Sequence, residues 1–524
     1  MTYPQPLQFI PTGPPRRPAQ ISQRCVNPMN YVSTRNRGVS LTASQAISQG
    51  LARDGGLLTP ETLPRLTPEM LEDLRGKPYA QRAVAVMQLF LEDFSQEELA
   101  AFTQAGYACP EKFDDPKVAP LHPLDGNTAC LELWHGPTSA FKDMALQILP
   151  HLLSASLVKT QEDKTVCILV ATSGDTGKAA LEGFKDVDRT KILVFYPKDG
   201  VSAVQALQMQ TQQGDNVGVC AVHGNFDDAQ TGVKTLFSDE KLRGDLAERG
   251  YFLSSANSIN WGRILPQLVY YISAYCDLLN AGQIQMGEKV NYCVPTGNFG
   301  NILACWYAGQ MGLPVGKLIC ASNSNNVLTD FLATGTYDRN RPFHTTMSPS
   351  MDILVSSNLE RLLFALSGQN DQEVAGYMQQ LNQAGKYTVS DQIKARLRED
   401  FYGGFCDEAT TSRTIAQVWK EHNYLIDPHT AVAYHVLEEY RQTTGDRRPA
   451  VFVSTASPFK FCDSVLHSLG VEQVAEGIGA LDQLTAATGR PAPAPLAGLR
   501  DKAVRFTHSV DKGQMMDVVL DMLK

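Results

Sequence analysis

No run of basic residues occurs in these 524 residues. Acidic side chains outnumber basic ones, 55 against 46, for a formal net charge of −9. That balance excludes nucleic acid or an anionic membrane as the main partner, since either needs a concentrated positive field. A small anionic substrate remains open, because one well-placed arginine can dominate a cleft. Paired cysteines are missing too. The 11 cysteines are scattered, odd in number and never spaced Cys-x-x-Cys. Zinc knuckles and dithiol motifs are thereby excluded, no metal site is expected, and reduced, buried thiols are. No apolar run approaches the roughly 20 residues that cross a bilayer. The first residues lack a charged-then-apolar leader. The expectation is a cytoplasmic protein, monomer or homodimer, that acts on a small molecule. No repeat of fixed period is found.

What is present is an ordinary globular composition, 43% hydrophobic and 19% charged. The length implies two or three domains. Residues 1–28 are rich in proline and read as a loose extension. Residues 29–116 read as a helical domain. Thr67 precedes Pro68 and Glu69, a cap followed by a first-turn proline. Ser95 and Glu98 have capping-box spacing. From 117 to 490, short apolar runs alternate with helical segments: TVCILVAT (165–172), KILVFYP (191–197), NVGVCAV (216–222), KVNYCVP (289–295), KLICAS (317–322) and PAVFVST (449–455). This is the α/β pattern of parallel sheets wrapped by helices, which bind ligands at the carboxyl ends of their strands. Within it, about 335–418 lose the strand pattern and read as a helical insertion. Residues 491–524 form a C-terminal segment.

Three strand ends carry small polar residues: VATSGDTGKAA (170–180), VPTGNFGNILACW (294–306) and VSTASPFKF (453–461). GDTGK is not a nucleotide phosphate loop, because only two residues separate Gly174 from Gly177 and Ala179 follows Lys178. GNFGN could cradle a phosphate: its glycines permit close backbone approach, and a helix begins near Asn301. It could equally be an ordinary strand-to-helix turn. NSINWGR (257–263) could hold an oxyanion through Ser258, Asn260 and Arg263, or be a polar surface turn.

WHGPTSAFKDMALQILPHLL (134–153) poses a sharper question. Phe141, Met144, Ala145, Ile148, Leu149, Leu152 and Leu153 recur at helical spacing and predict a buried face. With Thr138 or Ser139 as the cap, Lys142 falls in the first turn, where the helix dipole disfavours a cation. Partial burial would then give the neutral amine that Schiff-base chemistry needs. The competing reading places Lys142 in solvent beside Asp143, a pair worth roughly a few tenths of a kcal/mol.

HGPTSAFKDMA, ATSGDTGKAA, PTGNFGN, NSINWGR and STASPFKF together resemble threonine synthases of the longer form, which have a helical N-terminal domain. The resemblance runs from about residue 30 to the C-terminal region and includes VSSNLERLLF (355–364) and DPHTAVAY (427–434). It implies the type II fold of pyridoxal 5′-phosphate enzymes, shared with the tryptophan synthase β subunit. It implies that Lys142 holds the cofactor covalently and acts as the catalytic base. Gly297, Asn298, Phe299, Gly300 and Asn301 would wrap the cofactor phosphate, with Thr455 near the ring nitrogen. Ser173, Gly174, Asp175 and Thr176 would line the substrate carboxylate and the ring hydroxyl. Ser258, Asn260 and Arg263 would hold a substrate phosphate. The implied reaction is O-phospho-L-homoserine and water to L-threonine and phosphate. The alternatives are a phospho-lyase yielding 2-oxobutyrate, a hydroxy-amino-acid dehydratase, and a catalytically silent interaction protein. Two positions depart from the family pattern. Asp175 stands where related enzymes often carry asparagine, and Ser457 replaces the histidine of the usual TAHP. His135 borders the lysine turn, with packing or capping the favoured role over substrate contact.

Overall fold

The computed structural model describes residues 29–524, so the proline-rich extension lies outside the described residues. The next stretch is helical as read: α1 (Ala43–Gln49), α2 (Pro68–Arg75), α3 (Tyr79–Gln88) and α4 (Gln96–Gly106). Thr67 caps α2, and Ser95 forms the reciprocal box with Glu98 at α4. The region also holds an antiparallel sheet in the order β2 (Asn36–Leu41), β1 (Tyr31–Ser33), β3 (Leu58–Pro60). Strands of three residues are too short to show alternation in sequence.

The remaining chain builds two larger sheets. One has the order β14 (Phe401–Phe405), β11 (Val315–Ser322), β10 (Val290–Pro295), β15 (Ala450–Ser454), β5 (Thr128–Glu132), β4 (Leu121–Asp125), parallel except for the β4 edge. The other is wholly parallel: β16 (Ser509–Asp511), β8 (Val217–His223), β7 (Thr190–Pro197), β6 (Thr165–Ala171), β9 (Tyr251–Ser254). The chain leaves the first sheet after β5, completes most of the second, and returns at β10. The central strands are buried along nearly their whole length because helices cover both faces, which is why they read as continuous apolar runs. The helix Trp261–Asn280 lies in the core, with nearly every residue buried.

Several strands were not read from the sequence. β14 lies inside the stretch expected to be helical, and β16 comes from the C-terminal segment. The glycine pair in FYGGF hides β14, since glycine is depleted in strands. Close packing explains it: a Cβ on Gly404 would lie 2.6 Å from Val436 Cγ1. A small hairpin, β12 (Thr336–Asp338) with β13 (Lys386–Thr388), also sits in this stretch. Nine of the ten described cysteines are buried, and none is in a disulfide. No helix among the described residues is long and apolar enough to cross a membrane.

Candidate active site

Five segments gather at the carboxyl ends of strands from both sheets. The lysine turn follows β5, Ser173–Thr176 follow β6, NSINWGR follows β9, GNFGN follows β10 and Thr455 follows β15. This is where open parallel sheets place their ligands.

Lys142 is 8% exposed, which rules out the solvent-facing reading. It is itself the N-cap of a four-residue helix, α5 (Asp143–Leu146), and the chain turns again before α6 (Leu149–Lys159). Thr138 therefore does not cap that helix. Its N–H and hydroxyl donate to the Asp143 carboxylate at 2.8 and 2.7 Å, so Asp143 is committed to the turn and not to Lys142. Burial raises Asp143 to about 6, with the Thr138 bonds opposing. Met144, Ala145, Ile148, Leu149, Leu152 and Leu153 are buried as the spacing predicts. Phe141 N–H donates to the Thr455 carbonyl at 2.8 Å and Ser457 N–H to the Ser139 carbonyl at 3.1 Å, fastening the turn to the end of β15.

The Lys142 amine donates to Ser350 Oγ at 3.2 Å and lies 3.8 Å from Asp175 Oδ2. Burial lowers it to about 8; Asp175 opposes that shift, while Lys460 and Arg263 add to it. Ser350 is held from behind: its N–H donates to His429 Nε2 at 3.2 Å, and His429 Nδ1 lies 2.7 Å from Asp427 Oδ1. An acceptor Nε2 leaves the ring proton on Nδ1, facing the carboxylate. Asp175 opens α7 (Asp175–Phe184) and is buried. Burial works against its charge, but Lys460, Lys142 and Gln205 outweigh it and hold the carboxyl well below the usual range.

GNFGN turns into the helix Gly300–Met311 through Phe299, whose φ is 62°. Gly297 is required, because a Cβ would lie 2.6 Å from the Ser350 carbonyl. Asn301 Oδ1 accepts from Tyr270 and Tyr271 at 2.5 and 2.6 Å, while its buried Nδ2 has no partner among the described residues. Asn298 is exposed, and its carbonyl accepts from Asn358 N–H and Nδ2 at 3.1 Å. Asn358 also donates to Ser258 Oγ at 3.2 Å, so one amide joins the two loops. The buried Arg361 bonds Asn358, Ile259 O and Leu58 O, tying the N-terminal sheet to the same junction.

Arg263 is 3% exposed. One Nη donates to the Ala256 carbonyl at 2.6 Å; its buried Nε has no partner among the described residues. Burial lowers it to about 10. A buried guanidinium with a free donor suits an anion. Asn260 has a structural role that the sequence did not show. Its Oδ1 accepts from Gly262 N–H and its Nδ2 donates one N–H to Ile47 O, both at 2.9 Å, so this amide caps the helix. His135 bridges Asp114 at 2.6 Å and Glu132 at 2.8 Å, a packing role. Ser457 caps the turn Pro458–Phe461. Ser350, His429, Asp427, Gln205 and Lys460 escaped the sequence reading. The only signal for the last was a lysine between two phenylalanines in a quoted motif.

The chain resembles known proteins over most of its length. Family models match over 30–107 (threonine synthase N terminus), 118–456 (pyridoxal-phosphate dependent enzyme) and 430–519 (threonine synthase, C-terminal). The chain is 42% identical over 441 residues to the threonine synthase of Pseudomonas aeruginosa, covering 83% of this chain and 90% of that one. It is 40% identical over 443 residues to human threonine synthase-like 1, covering 83% of this chain but spanning only 58% of that relative's length. The structure of the pyridoxal-phosphate-bound threonine synthase of Brucella melitensis superposes with a TM-score of 0.84 at 37% identity, over 95% of this chain and 100% of that one.

The residues fit the cofactor. A buried amine near pKa 8 suits its aldehyde, and the orphaned Asn301 Nδ2 beside a glycine loop and a helix N-terminus suits its phosphate. The chain thus belongs to the threonine synthase family of type II pyridoxal-phosphate enzymes, with pyridoxal 5′-phosphate as its cofactor.

Proposed function

We propose that this enzyme is a lyase that converts O-phospho-L-homoserine and water to L-threonine and phosphate. One observation carries the reading. Arg263 is buried, 3% exposed, and its Nε has no partner among the described residues, which suits an anion other than the cofactor's phosphate. A dehydratase acting on serine or threonine has no use for it; a substrate bearing its own phosphate does.

When bound, pyridoxal phosphate supplies an electron sink for carbanions at the amino acid. Lys142, residues 297–301 and Thr455 would hold it. Arg263, with Ser258, binds the substrate phosphate. Ser173, Gly174 and Thr176 receive the substrate carboxylate at the start of α7. The Lys142 amine removes the α-proton, which its depressed proton affinity permits near neutral pH. Ser350 accepts one Lys142 N–H and so orients the amine. Loss of a second proton, from the β-carbon, expels phosphate by breaking the bond between the γ-carbon and the phosphate oxygen, and the γ-carbon then takes up a proton to become a methyl group. Water then adds at the β-carbon, and Lys142 returns a proton to the α-carbon.

The relative named threonine synthase-like 1 keeps a second reading in view, in which the eliminated product hydrolyses to 2-oxobutyrate. Both readings need phosphate release. The purified holoenzyme should release phosphate from O-phospho-L-homoserine and form no oxo acid from serine or threonine. Turnover of those hydroxy amino acids at comparable rates would overturn the assignment of the Arg263 site.

A further inference from the structure

Lys142 is not the only lysine at this site. Lys460 has no solvent exposure. Its ammonium donates to Asp175 Oδ1 and to the Thr138 carbonyl, each at 2.8 Å. No step described above requires it. A fully buried ammonium is costly unless it is matched. Here the match is shared, because the other oxygen of Asp175 faces Lys142 at 3.8 Å. Two lysines divide one carboxylate, and Lys460 has the closer contact.

The surrounding charges leave that imbalance in place. Arg263, from the helix Trp261–Asn280, adds a third cation, and Asp143 adds a second carboxylate. Further along α7, Lys178 and Glu182 pair with each other at 3.0 Å. Behind Ser350, His429 and Asp427 pair with each other at 2.7 Å.

We propose that Lys460 is a positioning residue that occupies Asp175, denies Lys142 a full counter-ion, and keeps its amine neutral and nucleophilic. An Asp175 left to Lys142 alone would favour the ammonium. The same pairing neutralises Asp175, so that it does not repel a neighbouring oxyanion.

The inference rests on Lys142 being the cofactor amine, and one experiment separates the two. The full chain is stripped of cofactor and mixed with pyridoxal 5′-phosphate between pH 6 and 10. Borohydride then fixes the adduct, and mass spectrometry counts modified Lys142 peptide against time. Wild-type capture rises with pH along a limb set by the Lys142 amine. Lys460→Gln keeps a donor but removes the charge. Its limb should move up by about one pH unit, with capture at pH 7 slowed about tenfold, while Lys460→Arg stays near wild type. Asp175→Asn should move the limb down. An unmoved limb in Lys460→Gln with a native circular dichroism spectrum overturns the proposal. So does an upward shift in Asp175→Asn, which decides the matter if Lys460→Gln does not fold. Absence of any label on wild-type Lys142 overturns the functional reading, and this inference with it.

Discussion

Lys142 and Lys178 make an instructive pair. Both are buried, at 8% and 4% exposure, and both have proton affinities lowered chiefly by burial. Lys178 has a carboxylate of its own, Glu182, on the next turn of the same helix, and a Gln212 carbonyl besides. Lys142 has a hydroxyl and a half-share of Asp175. Burial alone does not make a lysine reactive. What distinguishes the two is that one has its counter-charge within hydrogen-bond reach and the other is denied it. Lys178 is built to hold α7 in place, and Lys142 to lose its proton.

The largest test of that contrast is Lys142→Ala. Turnover should fall by at least about 10³-fold, since both the anchor and the base are gone. The fold should persist, read by circular dichroism. Arg263→Leu comes next. It should raise KM for O-phospho-L-homoserine roughly 10- to 100-fold, the worth of a charge-assisted contact to phosphate. Binding of an amino acid without phosphate should hardly change, and equal losses for both would place the phosphate elsewhere. Lys178→Met inverts the pattern. It leaves Glu182 unpaired, and because that side chain is 26% exposed the expected loss is only about 2 kcal/mol in urea unfolding. Its kcat should stay within about twofold of wild type, and a large fall in kcat with stability intact would erase the contrast.

The smallest effect concerns His135. Burial works against its charge, but the hydrogen bonds to Asp114 and Glu132 win and raise it to about 9. The folded state therefore holds the proton more tightly than the unfolded one. That stability is fully present below about 6.5 and is lost as pH rises through about 9. His135→Gln should be less stable than wild type at pH 6, and the gap should close by pH 10. A gap that does not change with pH would mean that the two ion pairs contribute nothing.

Much of this was legible beforehand. The six apolar runs are strands because central parallel strands are buried on both faces and need no alternation. The lysine turn, GNFGN and NSINWGR were legible because each couples a strand end to a helix start within a few residues. Ser350 was not, since it meets Lys142 across 208 residues, and no local pattern encodes that closure. Lys460 and His429 lay inside quoted motifs, but partners 285 and 79 residues away define them (Asp175 and Ser350). The capping role of Asn260 was not legible, because a capping asparagine and a ligand-binding one look alike in sequence; the bonds to Gly262 and Ile47 reveal it.

The most direct test of the assignment is the product ratio. Purified holoenzyme is given O-phospho-L-homoserine, and phosphate, threonine and 2-oxobutyrate are counted from the same samples. Threonine and phosphate should appear in a ratio near one to one from the earliest time points. Phosphate accompanied mostly by 2-oxobutyrate would contradict the account, because the site would then eliminate phosphate without directing water to the β-carbon.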